Sequence, residues 1–524
     1  MADVFGKHQP KIPYQPIADL LAQYRRRDPD KLAIVDLDQG ISISFGALDR
    51  AVTDIAAALK ACGVGKGARV LLLSDETLEK LLIWLGCWRL GAAVAPLNIE
   101  LNASLIADLA RSVAPALTLV HKELDGNALL AGRQFIRFGR YSTDPGDADP
   151  QDDLFREMPR GVDPACLPER NEAADIAGIF CTSGTTARPK IVVYDHCAYW
   201  LNGLSTLECL GLTEADRTLE YRSFGWNSAQ VLSLMPFLET GLTMHIARRF
   251  SHSRFFEWIR QHGITFAAGV PTVLNMLLNK PLGYSAKDIP SLRLMTCSTA
   301  PLTREQWLKF EEMYGVKLLQ MYGMSEAGWM CGNRHYSSKM GTVGLPALHQ
   351  EVEIVDGEGR PCPPDVEGEV TAGGPHCAVG YLRDDGTIEP IRGRRIKSGD
   401  LAIMDGDGFI RVTGRTKDLI IRGGVNIAPL EIDAVLLAHA GVLDAAAVGV
   451  PDRIYGEEVV CYVVPRPGVN LNEAAMLEHC QAHLPVPKMP KRVVIVPELP
   501  KSDRGKVLRD KLRDDWNERT RLSA

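Results

Sequence analysis

The segment Phe180-Cys-Thr-Ser-Gly-Thr-Thr-Ala-Arg-Pro-Lys190 constrains the fold of this chain more than any other. Apolar Ile179-Phe180 reads as the end of a buried strand, and Ile191-Val192-Val193 as the next strand. Between them Thr182, Ser183, Thr185 and Thr186 surround Gly184, and the run ends on the cation Lys190. A hydroxyl-rich turn held between two strands offers backbone N–H groups, hydroxyl donors and an ammonium to a polyanion such as a nucleoside triphosphate. It is not a Walker loop, which needs GxxxxGK followed by Ser or Thr and opens a helix. The competing reading of the segment alone is a polar surface turn.

Size narrows the architecture. At 524 residues the chain exceeds what one hydrophobic core serves, so two or more domains are expected. Hydrophobic content of 46% and charged content of 24% are ordinary for a water-soluble globular protein. A net charge of −6 argues against nucleic acid as a partner. The 12 cysteines show no CxxC and no zinc spacing, and most sit in apolar surroundings, as Cys87 does in Ile83-Trp-Leu-Gly-Cys-Trp. They read as reduced and buried, which predicts a cytoplasmic protein. Met1 to Pro13 is polar and carries no secretory pattern, and the longest apolar stretch, Leu81 to Leu97, is cut by Arg89, so no membrane span is predicted.

The first third alternates helix and strand patterns. Leu48, Val52, Ile55 and Leu59 keep helical spacing, Val70 to Leu73 is a short apolar run, Glu76 to Arg89 is helical again, and Ala92 to Pro96 leads into a strand. Such alternation predicts layered α/β structure with parallel strands. Asp144 to Asp153, acidic with two prolines, reads as a solvated loop. From Gly341 the texture changes to short strands (Val352–Val355, Gly368–Thr371, Phe409–Val412) split by Gly and Asp turns, with Asp405-Gly-Asp-Gly408 as a hairpin signal. This predicts a β subdomain. After Asp418 an α+β pattern begins: a helix from Pro429 to Ala440 with Pro in its first turn, strands at Ala445–Val450 and Val459–Val464, and a helix from Glu473 to His483. The predicted division is a large N-terminal domain, residues 1–416, of layered α/β subdomains plus the β subdomain, and a small mobile α+β C-terminal domain, residues 417–524.

Further motifs follow the hydroxyl loop in order: Gln320-Met-Tyr-Gly-Met-Ser-Glu326, Ser398-Gly-Asp400, Thr413-Gly-Arg-Thr-Lys-Asp418 and Pro500-Lys-Ser-Asp-Arg-Gly-Lys506. The set resembles the adenylate-forming superfamily of acyl-CoA synthetases, peptide-synthetase adenylation domains and luciferases, from about Ile17 to Arg513. The resemblance implies ATP-dependent activation of a carboxylate as an acyl-adenylate, with Mg2+, followed by transfer to a thiol. It implies that Thr182, Ser183, Gly184, Thr185, Thr186 and Lys190 hold the β- and γ-phosphates, with Ala187 standing where the family usually has Gly. It places Ser298, Thr299, Ala300 and Pro301 along the adenine, with Ser298-Thr299 replacing the usual glycines. Tyr322 offers adenine a flat face, Gly323 lies beside it, Ser325 (usually Thr) donates to the α-phosphate, and Glu326 is the Mg2+ ligand; outside such a site Glu326 would read as an acid at an exposed helix start. Asp400 and Arg415 match the ribose contacts, against the alternative of a structural ion pair across a hairpin. Lys506 matches the catalytic lysine that meets the carboxylate and α-phosphate oxygens. Lys417 matches the hinge about which the C-terminal domain turns, and Gly423 and Gly424 the loop that lets a pantetheine arm pass.

By the same resemblance the acyl pocket is lined by Arg222, Phe224, Trp226 and Asn227 and by Gly323 and Met324. Acetate-type members carry Trp where this chain has Gly323, so Gly323 is expected to leave room for a small-to-medium acid that is branched, cyclic or aromatic. Coenzyme A is the favoured acceptor. A stand-alone adenylation enzyme loading a carrier protein, a luciferase-like oxygenase and a non-catalytic nucleotide sensor are the alternatives, and a homodimer stays open. A basic C-terminal run (Lys488, Lys491, Arg492, Lys501, Arg504, Arg509, Lys511, Arg513) is interleaved with acids and reads as a solvated mixed surface rather than a CoA-phosphate site.

Overall fold

The computed structural model describes residues 13–523, apart from residues 100, 143–153, 157, 183–188, 299–301, 303, 424 and 503–505. The acidic run at 144–153 and Arg504 therefore lie outside the described residues. Two large sheets and two small ones carry the chain. The nine-stranded sheet is parallel through its middle, where Leu294–Cys297 lies beside Lys317–Met324, and antiparallel at both margins. In the eight-stranded sheet Arg69–Leu73, Ala93–Pro96, Leu117–His121 and Ile176–Cys181 are parallel. The remaining edge of that sheet is antiparallel, through Ile191–Asp195 and Gly380–Leu382 to Ile388–Pro390.

The largest core draws on both of these sheets and on the helices Phe45–Ala61 and Leu78–Arg89. All twelve residues of Leu78–Arg89 are buried, which is why its sequence is apolar on every side. Thr77 caps this helix, so it starts two residues later than its pattern suggests. Of its three buried charges, Lys80 Nζ pairs with Glu76 at 2.7 Å, Glu79 accepts from Gln39 and from the Tyr141 N–H, and Arg89 Nη2 donates to the Pro164 carbonyl at 3.5 Å. The helices expected at Pro429 and Glu473 form as Pro429–Leu437 and Glu473–His483.

The β texture after Gly341 forms a four-stranded antiparallel sheet, with Glu351–Val355, Glu367–Gly373, Ile396–Met404 and Ile410–Arg415 in that order. The Asp405 carboxylate accepts from the Asp407 and Phe409 N–H groups and closes the expected hairpin. One part of this region departs from the expectation. Gly380–Leu382 and Ile388–Pro390 leave the small sheet and add to the edge of the eight-stranded sheet, where Tyr381 pairs with Val192. The last sheet is built from Ile420–Arg422, Val425–Ile427, Val442–Asp452, Gly456–Pro465 and Arg492–Ile495. A single 3-10 turn, Thr416–Asp418, joins it to the strand ending at Arg415.

Nine of the twelve cysteines are buried and Cys362 is half-buried, whereas Cys62 and Cys166 are exposed. The basic C-terminal run is largely paired, through Lys488–Glu431, Lys491–Asp452, Arg492–Glu473, Lys501–Asp444, Arg513–Asp510 and the buried pair Arg509–Asp433. Among the described residues no helix is long and apolar enough to cross a membrane.

Candidate active site

The parallel strands Ile176–Cys181, Leu294–Cys297 and Lys317–Met324 end at Thr182, Ser298 and Ser325. In open α/β sheets the carboxyl ends of parallel strands are where ligands bind, because the chain must turn there and exposes unpaired backbone groups. The hydroxyl loop leaves the first of these ends. Its two flanking strands are antiparallel neighbours, so it is a hairpin loop. The neck is closed by Thr182 N–H donating to the Lys190 carbonyl at 2.8 Å and Lys190 N–H donating to Thr182 Oγ1 at 3.2 Å. Ser183, Gly184, Thr185 and Thr186 lie outside the described residues, as do Thr299, Ala300, Pro301 and Gly424.

Glu326 is not at a helix start. Ser325-Glu326-Ala327 is the tight turn between Lys317–Met324 and Gly328–Gly332. The Ala378 N–H donates to the Glu326 carbonyl at 2.9 Å, and the Tyr381 hydroxyl donates to Glu326 Oε1 at 3.0 Å. Lys190 Nζ lies 3.5 Å from the same hydroxyl oxygen and 4.7 Å from the Tyr381 ring centroid. Burial and the Glu326 charge raise the Tyr381 pKa, so its phenol remains a donor. Tyr381 is the contact that motif reading did not find; 55 and 191 residues separate it from its two partners.

Asp400 and Arg415 face each other across adjacent strands, with Arg415 Nε 2.7 Å from Asp400 Oδ1. The Tyr322 hydroxyl donates to Asp400 Oδ2 at 2.7 Å. Burial and the Asp400 charge raise the Tyr322 pKa well above its usual value. Each carboxylate oxygen keeps capacity for a second hydrogen bond, so the cross-strand pair and a ribose contact are compatible. Lys506 joins this group from the last domain. Its loop is closed by Ser502 N–H donating to the Lys506 carbonyl at 2.8 Å and by the Lys501–Val507 bridge. Burial first, and then the Arg415 charge, lower the Lys506 pKa from 10.5 to about 8, against the opposing pull of Asp400 and Asp418.

Several expected pocket residues serve the fold instead. Arg222 makes a bidentate pair with buried Glu220, at 2.9 and 2.6 Å, which neutralises its charge, while its Nη1 keeps no hydrogen-bond partner among the described residues. Phe224 is 1% exposed and belongs to the main core. A Cβ on Gly323 would stand 2.1 Å from the Gly328 carbonyl oxygen, so this position is glycine because the neighbouring strand backbone passes there. Trp226 and Met324 are half-buried, and buried Asn227 has its Nδ2 without a hydrogen-bond partner. The Ser298 hydroxyl, 1% exposed, likewise has none among the described residues. Buried polar atoms rarely stay unpaired, so both fit contact with a ligand. Gly423, at φ +57°, is exposed and donates its N–H to the Tyr455 carbonyl; in this orientation it is a surface turn.

Mg2+ takes few protein oxygens and fills its octahedron with water and phosphate. Among the described residues no group of three or more His, Cys, Asp or Glu could hold a metal ion. Glu326 suits the lighter requirement, since Tyr381 holds only Oε1 and no described residue engages Oε2.

The neck of the hydroxyl loop, the Glu326 turn, the Asp400–Arg415 pair and the half-buried Lys506 of the C-terminal domain are the arrangement expected of an adenylate-forming enzyme. The chain belongs to the AMP-binding enzymes: their family profile matches residues 21–382, and that of the AMP-binding enzyme C-terminal domain matches residues 431–506. It is 31% identical over 479 residues to a feruloyl-CoA synthase of Amycolatopsis, covering 90% of this chain and 94% of that one. It is 32% identical over 517 residues to the sulfoacetate–CoA ligase of Cupriavidus necator, covering 97% and 99%. Among solved structures, ATP-bound MatB from Rhodopseudomonas palustris is similar with a TM-score of 0.84 at 26% identity, over 95% of this chain and 99% of that one.

Proposed function

We propose that the residues gathered around Asp400 and Glu326 carry out both half-reactions of a carboxylic acid–CoA ligase. The chain is an AMP-forming acid–thiol ligase. The observation that carries the reading is that Lys506, from the last domain, is half-buried where the charges of Arg415 and Asp400 act on it. A carboxylate oxygen of the acid attacks the α-phosphorus of ATP, and the bond to pyrophosphate breaks. Two anions approach in this step, so charge must be neutralised before geometry matters. Lys506 meets the oxygens on which charge gathers, Thr182 and Lys190 hold the β- and γ-phosphates, and Asp400 with Arg415 fixes the ribose. Mg2+, when bound, screens the phosphate charge, and Glu326 Oε2 is the oxygen that would hold it. The thiol of CoA then attacks the acyl carbon, its proton is lost, and AMP leaves.

The acid we favour is small to medium and aromatic or cyclic, with an uncharged far end. Trp226 and Met324 offer apolar and aromatic contact, and Asn227 Nδ2 offers one hydrogen bond. The nearest guanidinium on that segment, Arg222, is already neutralised by Glu220. Lys417 would be the residue about which the C-terminal domain turns to bring the Gly423 loop to the adenylate. The test is pyrophosphate release across an acid panel that includes ferulate, benzoate and sulfoacetate, with and without CoA. Acid-dependent pyrophosphate release, with steady AMP production only when CoA is present, is expected. Release without any CoA-dependent turnover would redirect the acceptor to a carrier protein, and preference for sulfoacetate would refute the uncharged pocket.

A further inference from the structure

Lys190 and Glu326 carry opposite charges and approach the same tyrosine from different sheets. A lysine and a carboxylate so placed would ordinarily close into a direct ion pair. Such a pair would occupy the ammonium that a phosphate needs and the carboxylate that a cation needs. The Tyr381 hydroxyl stands between them, with its proton on Glu326 Oε1 at 3.0 Å and its oxygen 3.5 Å from Lys190 Nζ. The ring face lies under the same ammonium, 4.7 Å from the centroid. Both charges thus rest on a neutral group, which is easier to exchange for a ligand than an opposite charge is.

The backbone makes this placement stiff. Tyr381 pairs with Val192, two residues after Lys190, and Val379 N–H donates to the Val193 carbonyl. The Ala378 N–H holds the Glu326 carbonyl from the same short segment. One stretch, Ala378 to Leu382, therefore ties the phosphate-loop strand to the carboxylate turn.

We propose that Tyr381 is a positioning residue: it keeps Lys190 and Glu326 apart and turns Glu326 Oε2 toward the cation that accompanies ATP. The proposal rests on Glu326 as the Mg2+ contact and Lys190 as a phosphate contact. Groups that hydrogen-bond a metal-holding carboxylate typically contribute about 10–100-fold in metal affinity.

The test is calorimetric binding of α,β-methylene-ATP to the full chain, with and without saturating Mg2+, for the parent, Tyr381→Phe, Tyr381→Leu and Glu326→Gln. Tyr381→Phe should leave binding without Mg2+ near the parent value and reduce the tightening that Mg2+ produces by about 10-fold. Tyr381→Leu should also weaken binding without Mg2+, because Lys190 loses the ring beneath it. Thermal unfolding of each variant guards against misfolding, and Tyr381→Phe keeps the packing. Equal weakening of Tyr381→Phe in both conditions would show a structural role only and overturn the proposal. A parental Mg2+ effect in Tyr381→Phe together with its loss in Glu326→Gln would overturn the proposal while leaving the Glu326 reading intact. A parental Mg2+ effect in Glu326→Gln would overturn both.

Discussion

Replacing Lys506 by Ala tests the central claim, and the structure supplies two magnitudes for it. The first is catalytic. A preorganised cation on developing charge is worth on the order of 2–4 kcal/mol, so pyrophosphate release should fall by about 30- to 1,000-fold. The second is electrostatic. The Lys506 pKa stands at about 8 instead of 10.5. At about 1.4 kcal/mol for each tenfold change in proton affinity, holding that cation costs the folded state roughly 3 kcal/mol. The sign follows from the order of the two values: the folded state binds the proton less tightly than the unfolded chain. The penalty is therefore full below about pH 8 and fades as the pH rises from about 8 towards 10.5. Lys506→Ala should unfold at a higher temperature than the parent at pH 7, with the difference vanishing near pH 10.5. In the parent, kcat/KM for ATP should decline as the pH rises through about 8, since only the ammonium stabilises the transition state. Acyl transfer from a pre-made acyl-adenylate to CoA should be spared in Lys506→Ala. Pyrophosphate release within a few fold of the parent, or a parent profile flat from pH 7 to 9, would refute the reasoning.

Three other substitutions separate fold from function. Arg222→Ala leaves Glu220 buried without its ion pair and should destabilise the protein by about 3–5 kcal/mol in urea unfolding, with no change in relative acid preference among the molecules that remain folded. Gly323→Ala drives a methyl into the Gly328 carbonyl and should lower the melting temperature; Gly323→Trp should do so more strongly, and a clean shift towards acetate in competition assays would show that the pocket does reach this position. Lys417→Pro places a fixed φ inside the 3-10 turn Thr416–Asp418, where φ near −60° is already required, so single-turnover adenylation should persist while CoA transfer slows; equal slowing of both would point to misfolding.

What the sequence made legible was whatever depends on neighbours along the chain. The strand–loop–strand reading at Phe180–Lys190 held because apolar runs flank a hydroxyl cluster, and the Asp405 hairpin held because an Asp-Gly turn closes on itself. What the motifs leave out has a different cause. Gly323, Arg222 and Phe224 are read by position in a motif, and each makes a structural contact that no motif records: a passing carbonyl, a buried carboxylate, a core. Tyr381 went unseen for the complementary reason. The β texture after Gly341 suggested one continuous small sheet, so nothing indicated that residues 380–390 would return to the edge of another sheet and bring a phenol between two charges.

The same long-range logic bears on how the small domain is held. Arg415 ends one strand, the 3-10 turn Thr416–Asp418 follows directly, and Ile420 starts the last sheet, so the joint begins at the residue after Arg415. Packing of Gly414 against Ala428 and a surface hydrogen bond both cross the joint. Arg466 Nη1 reaches Asn279 Oδ1 at 2.9 Å on the surface, a contact of about 0.5–1.5 kcal/mol. Against this stands the cost of roughly 3 kcal/mol for burying the Lys506 cation beside Arg415. If Lys506 meets ATP as proposed above, the phosphate charge would offset this cost, and departure of pyrophosphate would restore it, so the first half-reaction would itself weaken the attraction that holds the lysine in place.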